Sequence, residues 1–444
     1  MDTEETEEFR LPRSRAANER LHALVPGGAH TYAKGDDQYP EHLAPVISHG
    51  EGAHVWDVDG NRYVEYGSGL RSVSLGHAHP RVLEAVRREL GRGSNFVRPS
   101  VVEVDAAERF LATVPTAEMV KFAKNGSDVT TAAVRLARAV TGRPRVAICG
   151  DHPFFSVDDW FIGTTPMSAG IPAATTELTV SFPYGDLAAT EELLAGYPGE
   201  VACLILEPAG HVEPPPGYLA GLRELADRHG CLLVFDEMIT GLRWSEAGAQ
   251  GLYGVVPDLS TFGKALGNGF AVSALAGRRE LMEWGGLRHG GERVFLLSTT
   301  HGAETHSLAA AMAVLTTYTE EGITARLHAL GERLAAGVRE VADAHGVGDH
   351  VVVRGRASNL VFATLDEHRR PSQEYRTLFL RRLLAGGVLA PSFVVSSALD
   401  EADVDRTVEV VAQACAVYRK ALDAGDPAPW VGGRPVKPVF RRLV

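Results

Sequence analysis

From about Arg81 to Asp236 the chain alternates between two periodicities. Apolar residues recur three and four apart in RVLEAVRREL, TTAAVRLARAV and LAGLRELADRHG, which predicts amphipathic helices. VKFAKN, RVAICG, VACLILEP and CLLVFDE are instead short apolar runs, the pattern of strands buried on both faces. The alternation predicts an α/β fold, a large doubly wound domain whose mainly parallel sheet is covered by helices on each side. Functional residues in such a sheet belong at the carboxyl ends of strands, and Asn125, Gly150, Glu207 and Asp236 fall there. Upstream, HVWDVDGNRYVEY alternates around Asp59-Gly60 and predicts a hairpin. After about Leu308 come two long helical patterns, strands near VVVRG and NLVFATL, and a last helix from Asp400 to Leu422, together a smaller α+β domain. The expected divisions are 1–64, an N-terminal segment and hairpin packing with the small domain; 65–310, the large domain; 311–425, the small domain; and 426–444, a Pro-, Gly- and Arg-rich extended basic tail.

Composition narrows the function. With 444 residues, 45% of them hydrophobic, the chain can bury a large core. A net charge of -12 leaves no basic field for nucleic acid or an anionic membrane surface. The four cysteines are scattered through apolar runs and read as reduced core residues. The acidic N-terminus has no apolar signal region, and no stretch is long enough to span a bilayer. The expectation is a cytoplasmic enzyme acting on small molecules, with neither nucleic-acid nor membrane partner.

Candidate chemistry concentrates in VFDEMITG (Val234 to Gly241) and STFGKALGNG (Ser260 to Gly269). One is a strand ending in an acid, the other a lone lysine among small residues. Pyridoxal phosphate needs this pair: an amine to form a Schiff base with its aldehyde, and a carboxylate to keep its ring nitrogen protonated. Lys264 and Asp236 would serve. A tight turn, Asn125-Gly126-Ser127-Asp128, feeds a helix N-terminus whose free N–H groups could cradle a phosphate. Ser127 or Asp128 as an ordinary helix cap accounts for the same turn. In STTHGAETH, His301 and His306 are five apart with Gly302 between them, so they do not share a helix face, and no metal site is expected.

VFDEMITGLR followed by GAQGLYGVVPDLSTFGKALGNGFAVSALAGRRELME resembles the core of class III aminotransferases, most closely the glutamate-1-semialdehyde 2,1-aminomutase branch. GEGAHVWDVDGNRYVEYGSGL, SLGHAHPRV, EMVKFAKNGSDVTTAAVRLARAVTGR and LILEPAG extend the likeness from about Pro26 to Leu422. The resemblance implies PLP fold type I (aspartate aminotransferase-like), pyridoxal 5'-phosphate with pyridoxamine 5'-phosphate as its half-reaction form, and a homodimer with shared active sites. Residue by residue it implies Lys264 as Schiff-base lysine, Asp236 as partner of the pyridine nitrogen, Gly126 and Ser127 as the phosphate turn, and Glu207 lining the pocket. Thr299 or its neighbour Thr300 would reach the phosphate of the other subunit. Met238 stands where the family usually has a valine under the ring.

The departures bear on substrate. The family's Tyr-His-Gly is replaced by the run Gly150 to Phe155, leaving His152 or Phe154 to stack on the ring, or a capping histidine beside core phenylalanines. The aminomutase arginine that binds substrate carboxylate aligns with Lys34, and the gate segment VLAPSFVVSSALDEADVDRT is shorter and lacks its acid. Arg71 and Arg356 are alternative anion anchors, or structural arginines; Arg243 reads as a loop brace. The expected activity is transfer of an amino group from a donor to an aldehyde or ketone of a small metabolite, with sugar or secondary metabolism as settings. The alternatives are an intramolecular aminomutase and a noncatalytic pyridoxal phosphate protein.

Overall fold

A computed structural model describes residues 9–152, 154–302 and 304–441; residues 1–8 of the expected N-terminal segment and 442–444 of the expected tail lie outside them. The described chain forms two compact units, one of residues 9–68, 76–78 and 327–441 and the other of 69–75 and 79–326. The helix Thr305–Glu321, whose pattern opens the C-terminal domain in the sequence, lies within the second unit.

The first unit opens with the helix Pro12–Leu24, and strands β1 (Ile47–Glu51), β2 (His54–Asp57) and β3 (Arg62–Glu65) follow. The hairpin of β2 and β3 is held by Asp57, whose Oδ1 accepts from the Asp59 and Asn61 N–H groups at 3.0 and 2.8 Å while Oδ2 accepts from the Tyr63 hydroxyl at 2.8 Å. One carboxylate thus satisfies both backbone donors of a turn that the Asp59-Gly60 pair announces.

The second unit carries β4 (Met119–Ala123), β5 (Arg145–Cys149), β6 (Thr179–Phe182), β7 (Val201–Leu206), β8 (Leu232–Asp236), β9 (Leu259–Phe262) and β10 (Ser273–Gly277). They form one sheet in the order β4-β10-β9-β8-β7-β5-β6. Every pairing is parallel except the two made by β10, which runs antiparallel to β4 and β9. Val146, Ile148, Ile205 and Val234 join the core beneath the helix Gly126–Thr141, and Leu204, Leu206, Leu233 and Phe235 the core beneath Tyr218–His229. Each such buried side chain contributes about 1.5–3 kcal/mol, which explains the near-continuous apolar runs.

The first unit resumes with β11 (Val351–Arg354), paired to β12 (Val361–Thr364), and β13 (Val388–Leu389), which adds parallel to β3. The tail, expected to be an extended arm, holds one short helix, Ala428–Val431. It then docks within its own unit: Val436 is buried and its N–H reaches Thr377 Oγ1 at 2.9 Å, and the Arg434 N–H reaches Glu41 at 3.0 Å. Among the described residues no helix is long and apolar enough to cross a membrane.

Candidate active site

Register puts the candidate residues of the second unit on one edge. β4 is parallel to β9, because both are antiparallel to β10. The carboxyl ends of β4, β5, β7, β8 and β9 therefore line up, and behind them follow Asn125 to Ser127, His152, Glu207, Asp236 and Lys264.

Asp236 ends β8 almost fully buried, with Oδ1 accepting from the Met238 N–H at 3.0 Å and from Thr261 Oγ1 at 3.1 Å. Burial pushes its carboxyl up to about 6, against the opposing pull of Lys264 and the two hydrogen bonds. Glu207, one strand over and also buried, is pushed up to about 7 by burial and by the charge of Asp236, with Lys264 and Arg71 drawing it back. Lys264 sits half-buried in a left-handed turn, φ 44°. Its amine makes no hydrogen bond to a described residue, and burial lowers its pKa, with Glu207 and Asp236 opposing. A desolvated lysine beside two acids is readily interconverted between its charged and neutral forms, the property a proton carrier needs.

The phosphate-turn candidates lie at the start of the helix Gly126–Thr141. Its cap is Asn125, in a reciprocal capping box with Asp128, not Ser127 or Asp128 as the sequence suggested. The capping box frees the Ser127 hydroxyl, whose oxygen accepts from the Val157 N–H at 3.0 Å and whose proton remains to be donated. The first N–H groups of the helix have no intrahelical acceptor.

Met238 closes the floor. A Cβ on Gly126 would stand 3.1 Å from its sulfur, and one on Gly263, immediately before Lys264, 2.7 Å. The longer side chain in place of valine is thus accommodated by two glycines on different elements.

His152 and Phe154 separate. His152 Nδ1 accepts the Glu207 N–H at 3.1 Å, which fixes the neutral ring with its proton on Nε2, and burial pulls its pKa down to about 4. Phe154 is 40% exposed and packs edge-on against Phe161 at 5.6 Å. Asp151 accepts from the Tyr184 N–H at 2.6 Å.

Arg71 is half-buried in the same unit, with Glu207 the acid that acts on its charge. Arg243 is fully buried and donates from Nη2 to the Arg71 carbonyl at 3.3 Å. Thr299 and Thr300 are not brought to this cluster; both are exposed in the loop before the helix Thr305–Glu321, their carbonyls accepting from Gly302 and Asn95. Lys34, exposed, and Arg356, whose Nε lies 3.3 Å from His328 Nε2, belong to the first unit. Sequence reasoning missed Thr261, Asn268, Gly263 and the Glu207 to His152 tie. Only Thr261 left a signal, a hydroxyl three positions before the lysine.

The class-III aminotransferase family model matches residues 35–395. The chain belongs to the class-III aminotransferase family. Class-III aminotransferases use pyridoxal phosphate, and their architecture is PLP fold type I. Among solved structures, the pyridoxal-phosphate-bound FumI protein of Sphingopyxis sp. MTA144 is similar at 25% identity and TM-score 0.86, over 95% of this chain and 100% of that one. An omega-transaminase from Sphaerobacter thermophilus is similar at 26% identity and TM-score 0.81, over 90% and 97%. A glutamate-1-semialdehyde-aminomutase from Pseudomonas aeruginosa PAO1, at 23% identity and TM-score 0.78 over 91% and 94%, shares the fold. This class-III aminotransferase has a donor set that fits the cofactor: a buried acid, a half-buried amine and a helix start whose glycine leaves the backbone open.

Proposed function

We propose that this class-III aminotransferase is a pyridoxal-phosphate-dependent transaminase that moves the amino group of a small-molecule donor to a separate aldehyde or ketone acceptor, as a homodimer in the cytoplasm. The observation that carries the reading is the convergence of Lys264, Asp236 and Glu207 at the carboxyl edge of the sheet. When bound, the cofactor supplies a carbonyl that takes up an amine and a ring that accepts electrons from the amine-bearing carbon. Lys264 Nζ takes the proton from that carbon and returns it in the reverse half-reaction. Asp236 would hold negative charge opposite the ring nitrogen, and its Thr261 and Met238 donors keep the carboxylate in place. Gly126 N–H, Ser127 N–H and the Ser127 hydroxyl would hold the phosphate, with Thr299 or Thr300 reaching that of the partner subunit. His152, tied to the end of β7, would cover the ring, and Met238 would pack against it.

Lys34 in place of an arginine, and a gate segment without its acid, favour transfer between two molecules over an intramolecular shift. The test is the absorbance of the purified holoenzyme titrated with a panel of amino donors and then a separate keto acid, beside Lys264→Ala. Donor-dependent bleaching reversed by the keto acid is expected, and is lost in the variant. Cycling by one amino-aldehyde without a free keto product would replace this reading with the aminomutase. A spectrum unmoved by any donor would indicate a binding protein.

A further inference from the structure

The sequence Ser127-Asp128-Val129-Thr130-Thr131 places three hydroxyls at i, i+3 and i+4, so they share one face of the helix Gly126–Thr141. The segment Phe155 to Asp158 is bound along that face. Ser127 Oγ accepts the Val157 N–H at 3.0 Å, Thr130 Oγ1 donates to the Phe155 carbonyl at 2.8 Å, and Thr131 Oγ1 lies 3.0 Å from Ser156 Oγ. Phe155, Ser156 and Trp160 are buried, while Val157 and Asp158 are exposed. The segment belongs to no strand or helix, and the hydroxyls of the helix fix its position.

Thr131 is the centre of this attachment. A hydroxyl has one proton and two lone pairs. The Thr131 proton goes to the Asp158 carboxylate, which only accepts, and Trp160 Nε1, which only donates, reaches the Thr131 oxygen at 2.8 Å. Ser156 must then donate to the remaining lone pair, and its own oxygen accepts the Asp158 N–H at 3.1 Å. Every hydrogen-bonding position of the Thr131 hydroxyl is thus filled from within the chain, and none is left for a ligand. Thr131 instead holds both neighbours of Val157, and with them the direction of the Val157 N–H. That N–H occupies one lone pair of Ser127 and bars the Ser127 proton from the side facing Val157.

Building on the transaminase reading, in which Ser127 donates to the cofactor phosphate, we propose that Thr131 is a positioning residue for that phosphate. It holds the Val157 N–H against Ser127 Oγ, and the Ser127 proton is thereby aimed away from the segment and left for a phosphate oxygen. The hydroxyl is oriented before the cofactor arrives, which avoids the ordering cost of a free rotor on binding.

The experiment titrates the full chain, freed of cofactor, with pyridoxamine 5'-phosphate and with pyridoxamine, which lacks the phosphate; neither has an aldehyde to react with Lys264. The ratio of the two affinities isolates the phosphate contribution. Ser127→Ala is expected to lower that ratio by about 10- to 100-fold and Thr131→Val by about fivefold or more, with Thr131→Ser, which keeps the hydroxyl, near wild type. In the Ser127→Ala background Thr131→Val should change the ratio by less than about twofold, because its effect runs through Ser127. Asp158→Ala, at an exposed residue, removes the acceptor of the Thr131 proton and should repeat part of the loss with the core untouched. Equal losses for both ligands, or the same loss with the Ser127 hydroxyl already gone, would make Thr131 a structural residue and overturn the proposal. Wild type without preference for the phosphorylated ligand would overturn it too, by removing the phosphate turn itself. A protein that shows this preference and turns over no amino donor would sink the transaminase reading alone, since the ratio is measured without turnover.

Discussion

Gly263→Ala tests whether the Met238 side chain sets the spacing beneath the site. Gly263 has φ 179°, extended backbone that alanine adopts without strain, so any cost is steric. The new Cβ would stand 2.7 Å from Met238 Sδ and 3.5 Å from its Cε, where unstrained contacts run about 3.5–4.0 Å. The sulfur must retreat by roughly 1 Å. It already stands 3.1 Å from a Cβ position on Gly126, and Met238 is only 7% exposed within the core of the sheet. Overpacking of this kind costs about 1–3 kcal/mol. Met238→Val removes the sulfur and its methyl, at a cost on the order of 1 kcal/mol by itself. In the double variant the clash is gone, so the two costs should fall short of additivity by at least about 1 kcal/mol. Urea unfolding of the four apo-proteins measures the cycle. An unchanged midpoint in Gly263→Ala, or strictly additive costs, would refute the claim that Met238 and Gly263 share one space.

Three further outcomes are expected. Glu207 and Glu237 are each pushed by burial from an ordinary 4.5 to about 7, so between these values the folded apo-protein holds protons that the unfolded chain has released. Their contribution to stability is then fully present below pH 4.5 and lost as pH rises through about 7, and Glu207→Gln should flatten the decline in urea midpoint between those pH values. Asp236→Asn keeps the shape and removes the charge; cofactor affinity should fall by about tenfold or more in an equilibrium titration while folding persists, and unchanged affinity would count against its role opposite the ring nitrogen. Deleting the residues after Asp426 removes the buried Val431 and Val436 and the 2.9 Å contact to Thr377, and should lower Tm in a thermal scan while leaving the cofactor bound. Loss of the cofactor on that truncation would contradict the assignment.

The sequence by itself determined the chemistry and the layered fold, because both are written in short stretches. Apolar runs buried on two faces read as central strands, three-and-four spacing reads as covering helices, and an acid closing one strand with a lysine after another reads as a cofactor site. The tertiary structure decided what depends on partners far away in the chain. β10 is antiparallel, a choice its short apolar stretch does not encode, since pairing depends on which strands the crossovers leave open. Asn125 takes the cap and thereby frees Ser127 for Val157, thirty residues on. The Leu75 to Asn268 bond spans 193 residues and ties the segment after Arg71 to the loop of Lys264, while the Arg243 to Arg71 bond, spanning 172, ties Arg71 to the stretch after β8. His152 and Phe154 have equal claims as letters; a single N–H from Glu207 ties one of them to the end of β7, and the other turns to Phe161. Local patterns set which groups are available, since periodicity and turn chemistry act within a few residues. Which of those groups meet is set by packing, where one hydrogen bond between distant segments selects among conformations that the local sequence leaves equal.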